Sequence, residues 1–87
     1  MPRVFIPPSL KPFSNGTAFV DIEARSVRAL VERLDELFPG LKSRLTDGDS
    51  LKAGLAVSID GQVATMGLYQ RFADAREVHF VLAIGGG

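Results

Sequence analysis

The apolar positions of this chain change period several times, and each change marks an element. Arg3-Val4-Phe5-Ile6 is a short β-type run, and Pro7-Pro8 stops it because proline has no N–H to give a sheet ladder. Ser14-Asn15-Gly16 supplies the positive φ angles of a tight turn, after which Thr17 to Glu23 alternates with period two. These two runs predict a hairpin with a long, proline-bearing connection. In the second run Ala18, Val20 and Ile22 share the expected core face, whereas Phe19 points outward with Thr17, Asp21 and Glu23.

From Ser26, a residue suited to an N-cap, the period lengthens to that of a helix: Val27, Leu30, Val31, Leu34 and Leu37 form one apolar stripe. Arg28, Glu32, Arg33, Asp35 and Glu36 occupy the opposite face, the ordinary solvated side of an amphipathic helix. Phe38-Pro39-Gly40 ends it, because proline disfavours helical geometry before it and glycine accepts the left-handed closing conformation. Leu41 and Leu45 pack as one further turn, and Thr46 to Ser50 reads as a polar loop, the expected site of mobility. The two aspartates there lack the further oxygen ligands and the closing glutamate of a calcium loop.

Alternation returns at Leu55 to Ile59, and Asp60-Gly61, a strong two-residue hairpin signal, leads into Gln62 to Thr65. Leu68 and Phe72 are core anchors of an irregular passage, and Glu77 to Ile84 reads as a final, central strand. The order strand, strand, helix, strand, strand, strand contains no repeat and no linker. It predicts an α+β fold in which one main helix lies across a mixed sheet, compatible with a β-grasp. The domain is expected to span 1–84, and Gly85-Gly86-Gly87 to form a flexible tail.

Composition narrows the chemistry. With 87 residues there is room for one core and little for an internal cleft. Ten basic and ten acidic residues balance with neither sign clustered along the chain, so neither nucleic acid nor an anionic membrane is an expected partner. The longest apolar stretch falls far short of the roughly 20 residues that span a bilayer, and the N-terminus has no signal-like region, so the expected location is cytoplasmic. Without cysteine there is no thiolate nucleophile and no sulfur-built metal site, and the single histidine, His79, excludes a multi-histidine centre. His79 itself reads as an exposed sheet residue, with no nucleophile or carboxylate placed beside it by spacing. No metal, no bound cofactor and no catalytic side chain are therefore expected.

What remains is the glycine tail. Three residues without Cβ atoms, directly after a central strand, form a segment able to thread a narrow channel with a carboxylate at its tip. An ATP-using enzyme can convert such a carboxylate to an acyl-adenylate, open to a sulfur or nitrogen nucleophile. The protein would then be a carried substrate and not an enzyme.

Across the whole chain these residues resemble the ubiquitin-like sulfur carriers, the group of the molybdopterin-synthase small subunit and the thiamine sulfur carrier. Ile6-Pro7-Pro8-Ser9-Leu10-Lys11-Pro12 with Asn15-Gly16 is similar to that family's opening strand and Pro-x-Leu-Arg turn. Val27 to Leu41 resembles its helix ending in aromatic-Pro-Gly-Leu, Val57 to Gly61 its Val-x-Val-Asn-Gly hairpin, and Val81 to Gly87 its closing strand and diglycine terminus. One departure stands out: Asp74-Ala75-Arg76-Glu77-Val78 replaces the common Asp-Gly-Asp-Glu-Val turn.

The resemblance implies adenylation of Gly87, with Gly86 as its diglycine partner, by an E1-like adenylyltransferase that uses ATP. It also implies conversion to a thiocarboxylate that delivers sulfur to a biosynthetic enzyme. The length of the Pro39 to Lys52 region fits the molybdopterin or cysteine-biosynthesis branch better than the thiamine branch. The alternatives are a protein modifier joined to target lysines through Gly87, or a plain interaction domain. The final strand also resembles that of ubiquitin, which implies that His79, Val81 and Ala83 share an exposed face while Val78, Phe80 and Leu82 face inward. With Phe5 and Phe19 on outward positions of the first hairpin, these residues make up the expected partner-binding surface.

Overall fold

The structure is a computed structural model, and it describes residues 1–82. Alternation holds locally in β1 (Arg3–Phe5), where Val4 is fully buried between more exposed neighbours. The proline-bearing connection winds into a 3-10 helix over Pro8–Ser14, closed by Asn15 at φ 55° and Gly16 at φ 76°. Ser14 is buried there, its hydroxyl donating to the carbonyl of Thr17 at 2.9 Å, so the polar atom is not left unsatisfied.

Strand β2 (Phe19–Asp21) is shorter than its alternating run, although Ile6 N–H still donates to the Ala18 carbonyl. The expected core face is only partly covered: Ile22 is buried, Val20 half-buried and Ala18 exposed. Cover falls away toward Ala18, which lies outside the strand.

Helix α1 (Val27–Leu37) begins where Ser26, in extended geometry, accepts the Ala29 N–H on its hydroxyl at 3.1 Å, a cap contributing about 1 kcal/mol. Val27, Leu30, Val31 and Leu34 are buried against the sheet. Leu37, expected in the same stripe, is 55% exposed. It sits on the last residue of α1 and, with Met1 and Ile22, lines a shallow cavity of about 250 Å³ beside the sheet edge. Gly40 at φ 100° turns the chain into α2 (Leu41–Leu45). Asp35, read as a solvated residue, instead accepts the N–H groups of Gly40 and Lys42, both at 3.1 Å, and so joins the two helices.

Thr46 to Ser50 is a correction to the sequence reading. It is a small antiparallel hairpin of β3 (Thr46–Asp47) and β4 (Ser50–Leu51), made possible by Gly48 at φ 63°. Polar turn residues are shared by loops and by the tips of short hairpins, so the pattern alone does not separate the two.

Strands β5 (Leu55–Ile59) and β6 (Gln62–Val63) pair around Asp60-Gly61, both with positive φ. After a short 3-10 helix over Gly67–Tyr69 the chain returns as β7 (Glu77–Leu82). The main sheet has the order β2-β1-β7-β5-β6, with β7 central, parallel to β1 and antiparallel to β5. One helix therefore crosses a mixed sheet, as the element order implied. Leu82, expected inward beside Val78 and Phe80, is 54% exposed at the end of the described strand.

The Asp74 to Glu77 departure is accommodated without the usual glycine: Asp74 adopts φ 55°, and Asp60 receives the following segment. The Asp60 carboxylate accepts N–H bonds from Glu77 at 2.8 Å and Arg76 at 2.9 Å, which hold its pKa below the ordinary carboxylate value. Because the charged form is the one the fold binds, this stabilisation is present at neutral pH and lost as the pH falls through the lowered pKa. Asp60→Asn tolerates the same positive φ and removes only the charge. We expect it to lower the urea midpoint at neutral pH, the gap to wild type closing in strong acid. A gap of equal size at both pH values would assign Asp60 a purely steric role.

Candidate functional site

Inward residues of the sheet make the core, so the opposite face is built from the remaining alternate positions. Register then sets which of them meet. Phe19 on β2 lies opposite Phe5 on β1, Phe5 is beside His79 on β7, His79 faces Ser58 on β5, and Ser58 faces Val63 on β6. One row of cross-strand neighbours thus spans all five strands. Val81, 41% exposed, lies two residues along β7 on the same face, opposite Ala56.

The centre of the row is tightly organised. The Phe5 and His79 rings stack at 4.1 Å with 3° between their planes, and Phe5 meets Phe19 at 5.7 Å, tilted by 42°. Arg3 covers the outer end, its guanidinium 4.2 Å from the Phe19 ring centre while its Nε bonds the Asp21 carboxylate at 3.1 Å. Such a cation over an aromatic face contributes about 0.5–1 kcal/mol at an exposed site. At the other end His79 Nε2 lies 2.9 Å from Glu77 Oε1. A carboxylate therefore does sit beside the histidine, contrary to the sequence reading, because residues i and i+2 of a strand share a face.

Three predicted residues, Phe5, Phe19 and His79, are brought into contact, and Val81 adjoins them on the same face. Ala83, Gly86 and Gly87 lie outside the described residues. Arg3, Glu77 and Val63 were missed; alternation places the first two, whereas Val63 needed the pairing of β5 with β6. The face is aromatic and apolar at its centre with a charged rim, a composition suited to protein contact. Its one hydroxyl, on Ser58, is paired with His79 in register, but no hydrogen bond joins it to the imidazole, and among the described residues no three His, Asp or Glu side chains gather as a metal site. Among the described residues, no helix is long and apolar enough to cross a membrane.

No protein-family model matches the chain, and no curated protein matches it. Solved structures do. A chain of the crystal structure of the Amycolatopsis orientalis BexX/CysO complex aligns with a TM-score of 0.89 at 21% identity, covering 100% of both chains. CysO of Mycobacterium tuberculosis, described as an antigen, aligns at 0.85 and 24% identity over 97% of this chain and 100% of its own. SAMP1 from Haloferax volcanii aligns at 0.69 and 23% identity over 98% and 97%. These neighbours agree with the resemblance read from the residues, and at such identities the likeness is one of architecture: the chain has the ubiquitin-like β-grasp fold.

Proposed function

We propose that this protein is a sulfur carrier, acting as co-substrate of partner enzymes in the cytoplasm. The observation that carries the reading is a β-grasp domain whose central strand runs within a few residues into Gly85-Gly86-Gly87. Alignment with CysO over essentially the full length of both chains supports it, as does the BexX/CysO complex, in which CysO is found with a partner protein.

The Gly87 carboxylate attacks the α-phosphorus of ATP on an E1-like enzyme, releasing pyrophosphate and leaving an acyl-adenylate. A hydrosulfide equivalent then attacks the acyl carbon, the C–O bond to AMP breaks, and a thiocarboxylate remains for an acceptor enzyme. No side chain of this protein takes part in either step. Its contribution is to present the tail and the aromatic row of the outer face to the enzymes that act. The reading requires Gly87 to carry the free carboxylate. With ATP, an E1-like enzyme and sulfide, the intact mass is expected to rise by about 16 Da, sulfur replacing oxygen. An unchanged mass with an enzyme shown to be active would refute it, and adducts that persist on denaturing gels would point to conjugation instead.

Partner docking is tested separately. Phe19 is 42% exposed on an edge strand, so Phe19→Ala removes a surface aromatic and not a core one. Truncated anchors at an interface can cost about 2 kcal/mol or more, so binding of the activating enzyme, followed by calorimetry, should weaken by at least tenfold. The same should hold for Val81→Asp, the fold being kept in both, although loss of the Arg3 and Phe5 contacts should lower the thermal midpoint of Phe19→Ala by roughly 4–8 °C. Loss of the fold in Phe19→Ala would place this ring in the core.

A further inference from the structure

Charge is balanced along the sequence, yet the fold gathers arginines in one place, which the sequence reading did not anticipate. An antiparallel bridge between Ser26 and Arg71, with Val27 N–H bonded to the Gln70 carbonyl at 2.9 Å and Phe72 N–H to that of Arg25 at 3.0 Å, ties two segments together. One segment precedes α1 and the other follows the second 3-10 helix. Arg25, Arg28 and Arg71 consequently line a single cavity of about 240 Å³, completed by Ser26, Leu68 and Tyr69.

Ion pairing among the described residues does not account for three arginines around one cavity. Among the described residues Arg25 and Arg71 are in no ion pair. Arg28 reaches only Asp49, at 3.9 Å with both side chains more than half exposed, a contact of little worth. The charges of α1 also run against its dipole: Arg28 stands in the first turn, which has no acidic residue, and Glu36 in the last, which has no basic one. Each such placement is disfavoured by about 0.3–1 kcal/mol.

The backbone of the helix end is not the attraction, since the Val27 and Ala29 N–H groups are already taken by Gln70 and by the Ser26 hydroxyl. The side chains are. A bare inorganic anion would engage the guanidinium groups but leave the Tyr69 ring, 61% exposed, uncovered. Arginine and tyrosine together are the residue types that anchor protein interfaces.

We infer that this cavity docks an acidic peptide segment of a partner protein, carboxylates on Arg25, Arg28 and Arg71 and an apolar side chain against Tyr69. The site lies at the N-terminal end of α1, on the helix-bearing side of the sheet, so a partner held on the outer aromatic face leaves it open. The inference does not depend on the chemistry of the tail.

The test is an amide NMR titration of the full chain with a pentaglutamate peptide ending in tryptophan. Shifts are expected within residues 25–29 and 67–71. Arg71→Glu should weaken binding about tenfold or more, whereas Arg33→Glu, the same change in net charge at an arginine paired with Glu36, should not. Thermal unfolding of both variants confirms that the fold is kept, and Arg71→Gln should give an intermediate loss. Absence of binding, shifts spread over the surface, or equal loss in Arg33→Glu would overturn the proposal. Equal affinity for inorganic phosphate with the same shifts would also overturn it, in favour of a small-anion site.

Discussion

Removal of Gly86 and Gly87 is expected to abolish the mass gain of about 16 Da completely while leaving the folded domain as stable as before. The chemistry explains why the loss is total. Adenylation needs a carboxylate that can reach the enzyme's ATP, and Gly85-Gly86-Gly87 is the only stretch without Cβ atoms at this end of the chain. Shortening the tail by two residues withdraws the new carboxylate by roughly 7 Å, since an extended chain advances about 3.3–3.6 Å per residue. A reacting group displaced by even an ångström loses much of its rate, so a displacement of this size leaves no partial activity to measure. The buried core among the described residues, by contrast, runs from Val4 to Phe80, ahead of the residues removed. Circular dichroism and thermal unfolding should match the full chain, and thiocarboxylate formed on the shortened protein would show that the tail is not the reacting part.

The second large effect is on stability. Leu34→Ala is expected to cost about 2–5 kcal/mol, measured by urea unfolding. Leu34 is fully buried in α1, and its backbone carbonyl accepts the Phe38 N–H at 2.8 Å at the helix end. Alanine keeps that bond and the helix propensity, so the loss isolates the side chain that fills the space between helix and sheet. In a domain of this size, total stability is of the order of 5–15 kcal/mol, and the variant would spend a sizeable part of it. Leu37→Ala, three residues on and 55% exposed, should by comparison cost under about 1 kcal/mol. Equal losses at the two positions would mean that Leu37 is covered in solution.

That contrast shows how far a periodic pattern carries. Spacing of three and four identified α1 and four of the five buried positions proposed for it, but it also enrolled Leu37. Periodicity states which face of an element a residue occupies, not how far the opposing layer extends. Leu82, at the end of β7, and Ala18, just ahead of β2, are the same case: each lies at an inward position of the alternation beyond its cover. Asp35 and Asp60 show the converse, polar residues whose partners lie at Gly40 and Lys42 for one and Arg76 and Glu77 for the other. For Asp60 those partners are 16 and 17 residues away, beyond any local pattern.

By itself the sequence determined the order of α1 and the main-sheet strands, the outward direction of Phe5, Phe19 and His79, the stops at Pro7-Pro8 and Phe38-Pro39-Gly40, and the glycine tail that suggests the chemistry. Those are local matters, set by backbone sterics and side-chain period over a few residues. Only the tertiary structure decided that β7 lies between β1 and β5, which aligns Phe19, Phe5, His79, Ser58 and Val63 in one row. It alone gathered Arg25, Arg28 and Arg71 around one cavity. The physical reason is that strand pairing and helix packing bring together residues far apart in the chain, and are settled by burial of the shared core, to which no single segment holds the key.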